Sequence, residues 1–129
     1  MIVLDASVLI AHLDERDAHH AKASQLLVGT GSKPLGASSI SLAETLVAPA
    51  RAGRLADATQ ALERLGVEEL PLGPGAPARL AQLRADTGRK LPDCCVLLAA
   101  QEHDGAVASF DSALLDTAAR LPLATLGRP

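Results

Sequence analysis

The chain has 129 residues, 48% of them apolar, and a formal net charge of −3 at neutral pH. That length suits one domain spanning residues 1–129 with a genuine core. The charge excludes a global pull toward polyanions, so a nucleic-acid partner must meet local positive charge or a second chain. No apolar run approaches the roughly 18 residues that span a bilayer. The opening MIVLDAS has no basic residue ahead of its apolar ones, which argues against a secretory leader and makes the cytoplasm the expected compartment. Phe110 is the only Phe, Trp or Tyr, so no aromatic platform for stacked bases is expected.

Short apolar runs alternate with helical patterns, the signature of an α/β fold with a mainly parallel sheet. Ile2-Val3-Leu4 is a strand that stops at Asp5. A helix follows over Ser7–Leu13, and a second over Ala18–Val28 ends at Gly29-Thr30-Gly31. Pro34–Ser38 holds a second strand. Ser41 starts a helix that Pro49 should bend or end. Leu55, Ala58, Leu62 and Leu65 recur at helical spacing, with Gly66 as the stop. Val67–Leu72 reads as a third strand, and Ala76–Thr87 as a helix closed by Gly88. A helix over Pro92–His103, a strand over Ala106–Ser109, a helix over Asp111–Arg120 and a strand over Leu123–Leu126 complete the pattern.

Cys94 and Cys95 are the only cysteines. Neighbours on a helix point about 100° apart, so these two can neither chelate one ion nor form an unstrained disulfide. They read as a small, buried, reduced pair. His12, His19 and His20 lack the i, i+4 pair with an intervening Glu that zinc hydrolases use, and read as surface histidines.

Ligands of an open parallel sheet bind beyond the carboxyl ends of its strands. Asp5 closes the first strand, Glu44 lies in the first turn of the helix after the second, Asp93 opens a helix, and Asp111 follows the fourth strand. Asp57, Glu63, Asp86 and Glu102 instead fall on polar helix faces. Each of the four acids also has a local explanation. Asp5 can cap the helix that follows, as can Ser7. Ser41-Leu42-Ala43-Glu44 is a capping box. Asp93 suits the first turn of a helix, and Asp111 suits an N-cap.

Taken together, four clustered carboxylates without counter-charge are costly. Only Arg89 and Lys90 lie near one of them in sequence. A hard divalent cation, Mg²⁺ or Mn²⁺, resolves the repulsion, because such ions prefer oxygen ligands. The residues alone therefore point to a metal-dependent hydrolase of phosphate esters.

The segments IVLDASVLIAHLD, SSISLAET and KLPDCCVLLAAQEHDGAVASFD resemble the PIN-domain ribonucleases, particularly the VapC-type toxins of bacterial toxin–antitoxin pairs. The resemblance covers nearly the whole chain. It implies a three-layer α/β/α sandwich with a central, mainly parallel sheet, and metal-dependent endoribonuclease activity. It further implies a homodimer and neutralisation by a cognate antitoxin. Its matching acids, Asp5, Glu44, Asp93 and Asp111, are implied as catalytic metal ligands, with Ser7 and Ser109 in support. Asp116 stands as a substitute or helper for Asp111. Arg16, Lys22, Arg51, Arg54, Arg89 and Lys90 are the basic candidates for contact with RNA.

Two other functions remain open at this level. One is an inactive PIN-like module that only binds protein. The other is a phosphohydrolase that phosphorylates Asp5; that chemistry commonly needs a second acid two residues on, where this chain has Ser7.

Overall fold

The computed structural model describes residues 1–128. In chain order the elements are β1 (Ile2–Leu4), α1 (Ala6–Leu13), α2 (His20–Gly29), β2 (Leu35–Ser38), α3 (Ser39–Arg51) and α4 (Leu55–Leu65). They continue with β3 (Val67–Leu70), α5 (Ala76–Thr87), α6 (Leu91–Glu102), β4 (Ala106–Ala108), α7 (Ser112–Arg120) and β5 (Thr125–Leu126). The strands form one sheet in the order β3-β2-β1-β4-β5, and every neighbouring pair is parallel.

Alternation along β1 divides the core. Ile2 and Leu4 face a cluster with Val8, Leu9, Ala23, Leu27 and Leu62, which belong to α1, α2 and α4. Val3 faces the opposite cluster, built from Leu83 of α5, Val96 to Ala100 of α6, and Leu114, Leu115 and Ala118 of α7. The result is a three-layer sandwich. α6 is buried along Cys94–Ala100, which explains why its sequence is apolar on all sides rather than along one stripe. Cys94 and Cys95 are both free and buried there.

α3 touches α1 and α4 in one layer and α6 in the other, so it lies across the carboxyl edge of the sheet. It begins earlier than its sequence suggests. Ser38, at the end of β2, is the N-cap and accepts from the Ile40 N–H at 3.3 Å. The capping box at Ser41 is therefore absent, and Glu44 falls in the second turn, where no orphan N–H needs it. Ser41 is buried in the helix, and its hydroxyl has no hydrogen-bond partner among the described residues. Pro49 sits in the last turn and the helix ends two residues later, at Arg51. A proline so near the C-terminus removes an N–H without dividing the helix.

Smaller differences have local causes. Asp14 and Asp17 accept backbone N–H bonds from Arg16 and His19 in successive turns, which delays α2 to His20. β3 stops at Leu70, and β5 keeps only Thr125–Leu126 of the expected run. α4 and α5 end at Gly66 and Gly88, both left-handed, as their sequences indicate.

Candidate functional site

The winding order sets the location. The chain runs outward from β1 to β2 and β3, then returns to the other side of β1 as β4 and continues to β5. The strand order reverses between β1 and β4, and the crevice at the carboxyl ends of that pair is where open parallel sheets bind ligands. Leu4 pairs with Ala108, so Asp5 and Ser109 emerge side by side at the crevice. The Asp5 N–H donates to the Ala108 carbonyl at 2.9 Å.

Asp5 is only 9% exposed. It occupies the N-cap position of α1, but its side chain makes no cap bond. Instead Oδ2 accepts from Ser7 Oγ at 2.8 Å and from Ser109 Oγ at 2.7 Å. Ser109 Oγ in turn accepts the Asp111 N–H at 2.9 Å, and Ser7 Oγ accepts the Phe110 N–H at 3.1 Å. Two hydroxyls thus tie the start of α1 to the start of α7 and fix one oxygen of Asp5. Gly127, at φ 97°, allows this arrangement. Any side chain there meets the Ser109 carbonyl, while the Ser109 N–H donates to Leu126 at 3.1 Å.

The other three acids arrive from three further elements. Asp93 is in the first turn of α6, behind Pro92, with Lys90 as the N-cap residue. Asp111 caps α7, its Oδ1 accepting the N–H groups of Ala113 at 2.9 Å and Leu114 at 3.2 Å. Glu44 comes from α3. Their charges act on one another. Burial first, then Asp5 and Asp93, raise the Glu44 carboxyl above its ordinary range. Burial, Asp5 and Asp111 raise that of Asp93, while Arg89 and Lys90 pull it back only in part. Arg89 approaches Asp93 at 3.8 Å, a loose pair.

Asp116 behaves differently. It lies along α7, paired with Arg128 at 2.8 Å, and contributes nothing to the shifts of Glu44 or Asp93. Among the described residues, no three Asp, Glu, His or Cys side chains stand close enough to coordinate one ion as placed. The acids lie within electrical reach but outside shared coordination distance. This spacing still suits Mg²⁺, which keeps several of its waters and uses one or two direct carboxylates. An all-oxygen donor set in which neighbouring carboxylates raise Glu44 and Asp93 is the chemistry that a hard cation relieves.

The basic candidates do not form one patch. Arg89 and Lys90 lie beside Asp93. Lys22 stands over the Phe110 ring, 5.3 Å from its centroid. Arg16, paired with Asp14 at 3.7 Å, and Arg54 line a cleft of about 510 Å³ that Glu44 also borders. Arg51 is exposed in the last turn of α3.

The histidines are more engaged than a surface reading implies. His12 and His20 stack at 6.3 Å, and burial, then His20, lowers the His12 pKa. His19 stacks on Phe110 at 5.2 Å. Phe110 remains the only Phe, Trp or Tyr, and His19 covers part of its ring. The signal for that contact lay in the sequence, where Phe110 falls between Ser109 and Asp111.

Fold and acid-lined edge together define a small, doubly wound α/β sandwich domain. The PIN domain profile matches residues 2–120, and the chain belongs to that family. A comparison with curated proteins returns no match. Several solved structures share the fold. A toxin–antitoxin complex from Klebsiella pneumoniae aligns with TM-score 0.73 at 22% identity, covering 87% of this chain and 88% of that one. FitAcB from Neisseria gonorrhoeae gives 0.72 at 21%, covering 98% and 96%. VapC20 of Mycobacterium tuberculosis, a toxin that cleaves the sarcin–ricin loop, gives 0.68 at 19%, covering 90% and 94%. None of the described helices is long and apolar enough to cross a membrane.

Proposed function

We propose that the protein is a Mg²⁺- or Mn²⁺-dependent endoribonuclease, the toxin of a VapC-type toxin–antitoxin pair. One observation carries this reading: acids from four separate parts of the chain meet around the switch point of a PIN domain, where Asp5, Asp93 and Asp111 raise the carboxyls of Glu44 and Asp93. Asp5, Glu44, Asp93 and Asp111 are the residues that hold the cation, and Asp116 is not among them. When bound, such an ion polarises the phosphodiester and supplies a nucleophile from water at neutral pH. The chain's own part is positioning. Ser7 and Ser109 hold Asp5 by Oδ2, which leaves Oδ1 to face the crevice. The cap bonds of Asp111 occupy its Oδ1 and leave Oδ2. Arg89 and Lys90 offset part of the acids' repulsion toward an RNA phosphate.

The structural neighbours, among them a toxin–antitoxin complex and a toxin that cleaves the sarcin–ricin loop, support an RNA substrate and a cognate antitoxin. The cleft between α1, α3 and α4, with Ile10, Leu13 and Pro49 in its lining, offers the antitoxin an apolar seat. The same reading includes a homodimer. The setting is the cytoplasm. Purified protein freed of antitoxin is expected to cut structured RNA with Mg²⁺ or Mn²⁺ and to stop in excess EDTA. Undiminished cutting in EDTA overturns the mechanism.

The absence of three carboxylates at coordination distance among the described residues favours one second reading, an inactive PIN-like module that binds protein. Calorimetry separates the two, because the module binds no Mn²⁺.

A further inference from the structure

Phe110 is built into the acid site without being an acid. Its N–H is held by Ser7, and its chain neighbours are Ser109, which holds Asp5, and Asp111. The ring is partly buried and packs against the α1/α2 core cluster. On it lies the His19 imidazole, at 5.2 Å between centroids and 25° between planes. The His19 side chain is 51% exposed. Lys22 Nζ is also against the Phe110 ring and lies 3.5 Å from the Arg128 carbonyl.

We propose that His19, seated on Phe110 at the rim of the acid site, stacks against one base of the RNA substrate, with Lys22 beside the adjoining phosphate. The inference rests on the ribonuclease reading and adds a subsite to it. A ring that is backed by Phe110, half open to water and close to the acids' edge offers a π-face, and every base can use one. The backing restricts His19 before binding, so less freedom is lost when a base stacks. The charges fit the path of a strand. Lys22 lies in the α2 layer, whereas Arg89 and Lys90 lie at α6 in the opposite layer. A strand entering over His19 and leaving past Arg89 therefore crosses the edge where the acids lie. Two acids near this route are already engaged: Asp17 sits 3.8 Å from His19 Nδ1, and Asp116 pairs with Arg128.

The test uses short single-stranded oligoribonucleotides in which each nucleotide in turn is made abasic. They are cut with Mn²⁺ by the wild-type protein, His19→Ala and His19→Phe. At one position beside the cut, loss of the base is expected to raise the wild-type KM roughly tenfold or more, the range of base–aromatic stacking. His19→Ala should carry that rise already and show no further change on the abasic strand, with kcat nearly constant. His19→Phe should restore the wild-type pattern. A purely structural His19 gives the opposite result, with losses that add at every position, and that outcome overturns the proposal while the ribonuclease reading stands.

If the wild type cuts no RNA, the ribonuclease reading itself fails. The stack is then judged by quenching of 2-aminopurine oligoribonucleotides, with Asp5→Asn as the protein. Quenching that His19→Ala removes upholds the subsite as a binding site, and its absence overturns it.

Discussion

Ser109 Oγ donates to Asp5 Oδ2 at 2.7 Å, joining the ends of β4 and β1 across the point where the strand order reverses. Ser109 is fully buried, so this bond forms in low dielectric and sets the Asp5 carboxylate in one orientation. Removing the hydroxyl leaves a buried charge with one donor fewer. Ser109→Ala is expected to cost about 1–2 kcal/mol of stability, measured by urea unfolding. It should also weaken Mn²⁺ binding roughly tenfold, as loss of a group that orients a ligand does.

The close approach of Gly127 to Ser109 predicts a second effect at a distance from the acids. Gly127→Ala places a methyl against the Ser109 carbonyl at a φ of 97°. A loss of about 1–2 kcal/mol is expected in thermal melts, with weaker Mn²⁺ binding because Ser109 shifts. Unchanged melting and binding would show that the last strand does not support the site.

Asp111 caps α7, and substitution can separate that from the metal-binding role proposed for it. Asp111→Ser keeps an N-cap for α7 and removes the carboxylate, so its stability should stay within about 0.5 kcal/mol of wild type while Mn²⁺ affinity falls. Asp111→Ala loses both, at a cost of about 1 kcal/mol. Asp116→Ala should leave metal affinity intact, since Asp116 is engaged with Arg128. Circular dichroism melts and calorimetry on the three variants check the division.

The raised carboxyls of Glu44 and Asp93 set a pH dependence for the metal-free protein. A carboxyl with a raised folded pKa makes the native state bind more protons than the unfolded chain over that interval. Stability therefore falls as pH rises from the ordinary values, 3.8 for Asp93 and 4.5 for Glu44, through the raised ones. The cost is complete above the raised values and absent well below the ordinary ones. At neutral pH without metal, Asp93→Asn should be more stable than wild type by about 0.5–1 kcal/mol, as expected if this acid is kept for the proposed metal site. Below the ordinary range the gain should vanish. Denaturant midpoints across pH report it.

Much of this arrangement is legible in the sequence because local chemistry and global pattern agree. Ile2-Val3-Leu4 followed by Asp5 reads as a strand ending at an acid, and Gly66 and Gly88 mark helix ends where left-handed backbone is required. Asp93 behind Pro92 reads as a first-turn carboxylate. Other features depend on contacts that no local pattern encodes. The Ser41–Glu44 box is a valid capping signal, but Ser38 captures the helix three residues earlier because β2 runs directly into it. Asp5 looks like a cap, yet its partners are a near neighbour and Ser109, 104 positions away. His19 and Phe110 lie far apart in sequence, and only the folded chain brings the residue before α2 onto the loop after β4.

A calorimetric titration with Mn²⁺ tests most directly whether the four carboxylates, Asp5, Glu44, Asp93 and Asp111, serve one cation. The protein, freed of antitoxin and chelator, is titrated alongside Asp5→Asn, Glu44→Gln, Asp93→Asn and Asp111→Ser. Saturable binding by the wild type, weakened at least tenfold in each variant, is the predicted result. No binding by the wild type, or equal binding by Asp5→Asn and Asp93→Asn, contradicts it.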